Sequence, residues 1–456
     1  MTHEAAAAST QVVMGYSFWI ATGIFLIAYA FIVSEKIHKT VIAIFGAGLM
    51  LVLKILEQHE AFHVEELGID WNVIFLLISM MVIINLMRPT GVFEYIAIKS
   101  AKWGKGEPFR IMAIFAIVTA VLSAFLDNVT TVLLIVPVTI LIADALQVDA
   151  LPYLISCALA SNIGGTATLI GDPPNIMIAS KAQLNFMDFI YHLSPVIIIT
   201  MVFYIFAIKL IWGKKLKTRD ELKQRIMSMD ENEAIKDPVM LKKSLFVLAM
   251  VLTGFVFHGA LHFQPATVAL FGAGLLLLLS KTHEPHHILA EVEWPTIFFF
   301  MGLFIIIGGV VKVGLIKWMS VQVLAITQGN MFATSMVVMW FSAFASAFID
   351  NIPYVATMNP LIVDMAKQLW PDLSGLSLLH HADLMPVWWS LALGACLGGN
   401  GTAIGASANV IVVGMSEKLG RRISFGKFML YGMPLMIMTV IISTVYVWLR
   451  YYVLKI

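Results

Sequence analysis

The chain has 456 residues, 60% of them hydrophobic and 12% charged, with a formal net charge of +1. A soluble globular protein carries about 25% charged residues, so the composition excludes an ordinary soluble domain. A net charge this close to zero leaves no electrostatic footprint for nucleic acid. Apolar runs near 20 residues recur along the chain, each long enough to cross about 30 Å of hydrocarbon. An all-α polytopic membrane protein is expected.

Read in chain order, Met1 to Gln11 is polar and holds neither Lys nor Arg, which argues against a cleaved signal peptide. The first half then predicts five crossings, starting near Tyr16, Thr40, Trp71, Leu151 and Phe189, with a re-entrant hairpin between Phe109 and Leu146. Gly91–Trp103 mixes apolar and basic residues and reads as an interfacial helix. Residues 213–243, rich in Lys and Arg, read as a cytoplasmic linker. The second half predicts crossings from near Ser244, Ala266, Trp294, Val387 and Phe428, a hairpin between Phe332 and Leu369, and an interfacial helix at Gly314–Thr327. Trp370 to Val387 reads as a loop.

With the N-terminus outside, the basic connections Ser34–Lys39, Arg88–Arg110, Lys281–Glu293 and Glu417–Lys427 all fall on the cytoplasmic side. Five crossings per half is an odd number, so the second half enters the membrane inverted. The expected organisation is a first repeat over 12–212 (scaffold 12–108, transport part 109–212), a linker over 213–243, and a second repeat over 244–456 (scaffold 244–328, transport part 329–456). The cysteines, Cys157 and Cys396, lie in apolar segments. They suit buried small residues better than a disulfide, and no spacing suggests a metal site.

The duplication is written into the residues. Ser123-Ala124-Phe125-Leu126-Asp127-Asn128 recurs 223 positions later as Ser346-Ala347-Phe348-Ile349-Asp350-Asn351, and Pro137 and Pro360 each follow nine residues after the Asn. At the same offset Trp71, Ile74, Phe75 and Gly91 match Trp294, Ile297, Phe298 and Gly314. Upstream, residues 43–48 (AIFGAG) match 269–274 (ALFGAG) at an offset of 226. Downstream, a Gly-Gly-x-x-Thr-x-Ile-Gly-x-x-x-Asn string runs from Gly164 to Asn175 and again from Gly398 to Asn409, at an offset of 234. Such self-similarity marks an internal repeat.

Two motifs carry chemistry. Each Asp-Asn pair sits inside an apolar run, and an ionisable group at membrane depth is costly and by default functional. An N-cap for its own hairpin is the simplest use of one such Asp. The duplication at a repeat interface points instead to a transport site. The second motif, residues 161–175 (SNIGGTATLIGDPPN), cannot be an unbroken helix, because Gly costs about 1 and Pro about 3 kcal/mol in a helix interior. A broken helix offers a half-helix N-terminus and free carbonyls as ligands. Close packing of helices through small residues is the plainer use of its glycines, but it does not call for Asn, Thr and Asp as well. Its partner keeps the glycines, Thr and Asn but has Ala406 where Asp172 stands, so the site is asymmetric in charge.

Candidate solute- and ion-binding residues are therefore Asp127, Asn128, Thr131, Asn162, Gly165, Thr168, Asp172, Asn175, Asp350, Asn351, Asn400, Thr402 and Asn409. No catalytic residue, metal ligand or cofactor is expected. The histidines, among them His38 and His258, fall near predicted membrane edges and read as interfacial. An intramembrane aspartyl protease would need Gly-x-Gly-Asp, and Leu169 stands at its first position.

Phe125-Leu126-Asp127-Asn128-Val129-Thr130-Thr131, followed by the 161–175 string, resembles the ArsB and P-protein branch of the ion transporter superfamily. NhaD-type sodium/proton antiporters and citrate and dicarboxylate carriers belong to the same superfamily. The resemblance spans essentially the whole chain. It implies two inverted repeats, each with a scaffold and a transport part, elevator-like alternating access, and a homodimer built on the scaffold. The site it implies is Asp127, Asn128, Asp350, Asn351 and the broken segments near Thr168 and Thr402. Pro173-Pro174 departs from the Thr-Thr of sodium/proton relatives, and Asp-Asn departs from the Ser-Asn-Thr tips of dicarboxylate carriers. Carboxylates a few ångströms from a dianion repel it, so a neutral or cationic solute is favoured. The expected function is proton-coupled efflux of arsenite or antimonite through the inner (cytoplasmic) membrane. Sodium/proton antiport and sodium-coupled organic-anion transport are the alternatives. Expected partners are a small inorganic solute with a coupling proton or sodium, membrane lipid, and an ion gradient or a separate ATPase subunit as energy source.

Overall fold

The computed structural model describes residues 14–34, 36–64, 66–280, 285–418 and 420–456. The polar start at Met1–Gln11 and the first part of the Lys281–Glu293 connection lie outside these. Among the described residues the secondary structure is helical, and nine helices are long and apolar enough to cross a membrane.

The first half begins with α1 (Tyr16–Ser34), α2 (Lys39–Val52), the short α3 (Gln58–His63) and α4 (Trp71–Met87). A turn at Gly91, in the left-handed region at φ 80°, leads into α5 (Val92–Trp103). Gly314 holds the matching place in the second half at φ 86°, which explains why both copies carry glycine there. The hairpin follows as α6 (Pro108–Phe125) and α7 (Asn128–Ala145), and α8 (Leu151–Gly165) and α9 (Pro173–Ala182) form the interrupted helix. After α10 (Phe186–His192) comes α11 (Ser194–Trp212), and α12 (Asp220–Met227) lies within the linker.

The second half repeats the order. It runs through α13 (Pro238–Phe257), α14 (Pro265–Ser280), α15 (Pro285–Ala290), α16 (Trp294–Lys312) and α17 (Leu315–Thr327). The hairpin arms α18 (Met331–Phe348) and α19 (Asn351–Leu369) come next, then α20 (Gly375–Leu379). The second interrupted helix is α21 (Met385–Gly398) with α22 (Ser407–Lys418), and α23 (Phe425–Val447) closes the order. Helices α5 and α17 occupy the two segments, Gly91–Trp103 and Gly314–Thr327, in which helices were expected. Two boundaries differ: α13 starts at Pro238, inside the stretch read as linker, and the segment read as a loop after Trp370 contains α20 and the start of α21.

The two halves pack reciprocally. Helix α2 lies against α16 while α14 lies against α4, and α9 packs on α19 while α22 packs on α7. Contacts exchanged in this way are what a twofold relation produces. Six spanning helices outside the hairpins, with α2, α14 and the two interrupted helices, make ten traverses. The 14 residues of α2 rise only about 21 Å, short of a full hydrocarbon thickness.

Each hairpin is fastened along its interrupted helix. In the first half Tyr153 Oη donates to Pro108 O at the open end, 2.6 Å away. At the tip, Gly164 meets the Ala120 backbone so closely that a Cβ would lie 2.1 Å from its carbonyl oxygen. The arm α6 has 18 residues and α8 has 15, so each tip ends level with the break in its neighbour. The stretch between the halves is tied to α5 and the turn before it: Lys236 N donates to Thr90 O at 2.9 Å, and Lys102 pairs with Glu231 at 2.5 Å.

Candidate functional site

Four helix N-termini converge between the halves: α7 and α19 at the hairpin tips, α9 and α22 after the breaks. Helix starts carry partial positive charge, and three of the four hold an aspartate at the N-cap. Asp127 accepts from Thr130 N at 2.8 Å and from the Thr130 hydroxyl. Asp350 accepts from Ile352 N at 3.1 Å. Asp172 caps α9, whose Pro173 and Pro174 occupy the first turn, where no N–H is needed. The tip aspartates thus do cap their own helices, and they also face a shared cavity.

That cavity measures about 490 Å³ and is lined by Asp127, Asn128, Asp172, Asp350 and Asn351. Asp172 is wholly buried. Its Oδ1 accepts from Asn128 Nδ2 at 3.1 Å, and its two oxygens lie 3.5 and 3.4 Å from Asn351 Nδ2. One carboxyl group is therefore held between the asparagines of both tips.

Behind it runs an amide network that crosses from one half to the other. Asn162 Nδ2 donates to Asn400 Oδ1 at 2.9 Å and Asn409 Oδ1 at 3.0 Å, while its Oδ1 accepts from Asn128 Nδ2 at 3.3 Å. The free carbonyls expected at the breaks as ion ligands are largely satisfied within the protein. Asn175 Nδ2 donates to the carbonyls of Thr166 and Thr168 at 3.2 and 2.9 Å, and Asn409 Nδ2 to those of Gly399 and Thr402 at 2.8 and 2.9 Å. A buried carbonyl needs such a partner, so these carbonyls shape the breaks, and the polar side chains that the broken segments present to the cavity are Asp172 and Ser407.

Thr168 and Thr402 likewise turn their hydroxyls to the tip carbonyls of Ala124 and Ala347. Gly165 is required by closeness, since a Cβ there would lie 2.5 Å from Gly171 O. Thr131 is buried beside the tip with its hydroxyl unpartnered. Of the thirteen expected residues, five line the cavity and the other eight lie behind them, buried. Both cysteines are buried and unpaired with each other, and Cys396 Sγ lies 3.5 Å from Asn175 Oδ1.

Six polar residues outside the expected set also line the cavity: His38, read above as interfacial, with Lys39, Thr40, Glu293, Thr296 and Ser407. Lys39 Nζ is 2.5 Å from Asp350 Oδ2 and 3.0 Å from Ser407 Oγ, and it lies 5.0 Å from the centre of the Phe299 ring. In sequence these residues sit at helix starts and connections, where charge is ordinary. Only the close approach of α2 and α16 to the tips brings them into the site. His258 lines a different cavity, where its ring bridges Phe263 O and Phe186 N.

A second cavity of about 460 Å³, lined by Asn72, Ile176, Ser180, Gln183 and His258, lies beyond the start of α9. Helix α9 thus has Asp172 and Pro173 on one cavity and Ile176 to Gln183 on the other.

Comparison with known proteins agrees with this architecture. Residues 29–394 match the family described as citrate transporter, CitMHS. An uncharacterised transporter of Mycobacterium tuberculosis (strain ATCC 25618 / H37Rv) is 44% identical over 435 residues, covering 95% of this chain and 99% of its own. The 46 kDa membrane protein of Mycobacterium leprae is 42% identical over 436 residues, covering 96% and 99%. The P protein of Homo sapiens is 32% identical over 505 residues, covering 94% of this chain and 59% of its own length. The chain belongs to the citrate transporter (CitMHS) family of the ion transporter superfamily, and it is a transporter rather than an enzyme.

Proposed function

We propose that the protein is a proton-coupled secondary transporter that exports arsenous or antimonous acid across the cytoplasmic membrane. One observation carries the reading: among the described residues the cavity is lined by four acidic side chains, Asp127, Asp172, Glu293 and Asp350, against a single ammonium, Lys39, already engaged by Asp350. Two unit charges 4 Å apart interact by about 4 kcal/mol at an effective dielectric of 20. A free polycarboxylate such as citrate would meet that repulsion several times over, unless cations entered with it. A neutral, hydroxyl-rich oxyacid meets none of it and can exchange hydrogen bonds with the tip amides of Asn128 and Asn351.

In this reading the rim formed by residues 32–33, 37–40 and 293–296 faces the cytoplasm, the N-terminus lies outside, and the second cavity is the vestibule of the opposite state. The hairpins and interrupted helices are the moving parts, and α1–α5 with α13–α17 form the scaffold on which two copies pair. Sodium/proton exchange is the second reading, favoured by the paired tip aspartates.

Proteoliposomes separate these alternatives. Under an imposed proton gradient, uptake of arsenite or antimonite supports the first reading. Sodium-dependent dequenching of a pH dye, without arsenite flux, supports exchange. Accumulation of labelled citrate by the cation-depleted system would overturn the charge argument.

A further inference from the structure

The two aspartate tips are not equivalent. Asp350 is paired with Lys39, whereas among the described residues Asp127 is held by Thr130 and the backbone of its own helix start. The repeat offsets make the difference structural: the counterpart of Lys39 is Pro265 and that of Ser407 is Pro173. Neither proline carries a charge or a hydroxyl. The Lys39–Ser407–Asp350 cluster therefore exists at one tip only.

Its members come from separate pieces of the molecule. Lys39 opens α2 and stacks over Phe299 of α16, two helices that pack on each other. Asp350 caps the hairpin arm α19, and Ser407 begins α22 after the break. Ser407 Oγ also lies 3.2 Å from Asp350 Oδ2, so the ammonium, hydroxyl and carboxylate form a closed triangle. The side chains of Lys39 and Asp350 are 26% and 12% exposed, enough shelter for the pair to escape full solvent screening.

We propose that Lys39 is a tethered cation that occupies the second carboxyl site and latches the hairpin to α2, and that a proton or sodium ion arriving at Asp350 displaces it. This rests on the transport reading above. A contact of 2.5 Å cannot survive movement of the hairpin past α2 by more than an ångström or two. Separation would leave Asp350 uncompensated at membrane depth, which is costly. Movement is therefore tied to a replacement cation, and the empty carrier stays latched. Other titratable groups facing the cavity, Asp127, Asp172, Glu293 and His38, the chain neighbour of Lys39, contribute to its field, and the hydrogen bonds of the latch run between Lys39, Asp350 and Ser407.

The test uses the full-length protein in lipid nanodiscs without solute, titrated with protons or with sodium at constant ionic strength and followed by thermal stability. With the tethered competitor removed, Lys39→Gln is expected to lower the half-saturating concentration of the displacing cation at least tenfold. Lys39→Arg, which retains the charge, stays within threefold of wild type. Asp350→Asn and the Lys39→Gln/Asp350→Asn double variant lose that response. The proton and sodium arms identify which cation displaces the lysine. An unchanged half-saturation in Lys39→Gln, or no cation response in any variant, overturns the latch. Should Lys39→Gln fail to fold, Lys39→Met, which also removes the charge, is titrated instead: a half-saturating concentration at least tenfold below wild type supports the latch, and an unchanged one refutes it. Arsenite flux is measured separately, so a wrong solute leaves the latch standing and a failed latch leaves the solute standing.

Discussion

Asp172 offers the sharpest test, because the second half already shows what its absence looks like. Ala406 fills the equivalent position, so Asp172→Ala makes the two breaks alike. The substitution strips Asn351 Nδ2 of both its acceptors and Asn128 Nδ2 of the shorter of its two. A buried donor left unsatisfied costs about 1–3 kcal/mol. Removal of a buried carboxyl group offsets part of that, since its own desolvation disappears. The net loss of stability is therefore expected to be about 1–2 kcal/mol, leaving folded protein in the membrane. Asp172→Asn keeps one acceptor oxygen for Asn128 but sets an NH₂ against Asn351 Nδ2, and should cost about as much. Transport is expected to fall at least 100-fold in both, equivalent to about 2.7 kcal/mol, because no carboxyl group then joins the two tips. Thermal melting of the purified variants measures the first quantity, and initial solute flux in proteoliposomes the second. Near-wild-type coupled flux in Asp172→Ala would refute the claim that this group is central.

Asp127→Asn keeps an acceptor for Thr130 N and is expected to leave the fold intact while abolishing or uncoupling proton-linked flux, read with an internal pH dye. Thr168→Val and Thr402→Val each remove a hydrogen bond from a hairpin tip and should cost about 1 kcal/mol apiece; faster amide exchange at residues 124–128 and 347–351 is the readout. Gly164→Ala would drive a Cβ into the Ala120 backbone and should destabilise by about 3 kcal/mol or more, beyond ordinary overpacking because backbone cannot rotate away. Gly48→Ala, in open space within α2, should instead gain up to about 1 kcal/mol, and melting curves of the pair decide both.

Much of the architecture was legible in residue order alone. Hydrophobic length gave the spanning helices, because lipid forces backbone groups to pair within a segment. Repeated strings located both hairpins, both breaks and the glycine turns at 91 and 314, since a duplicated fold needs the same backbone conformations twice. Helix ends were less clear. The linker's own helix α12 and the early start of α13 at Pro238 were missed, because polar stretches carry little periodic signal.

The anomalous carboxylates declared themselves in sequence: Asp127, Asp172 and Asp350 stand out against apolar neighbours. Their tasks were decided by tertiary contact. Sequence could not say that the Asn175 and Asn409 amides would occupy the broken-helix carbonyls, or that Asn162 would join the halves. Nor could it select Lys39 and Glu293 from the charges at membrane edges, where a lysine is unremarkable. Hydropathy records which segments leave water, a property each residue contributes independently. Which charge meets which depends on how helices hundreds of residues apart are folded against each other, and only packing sets those distances.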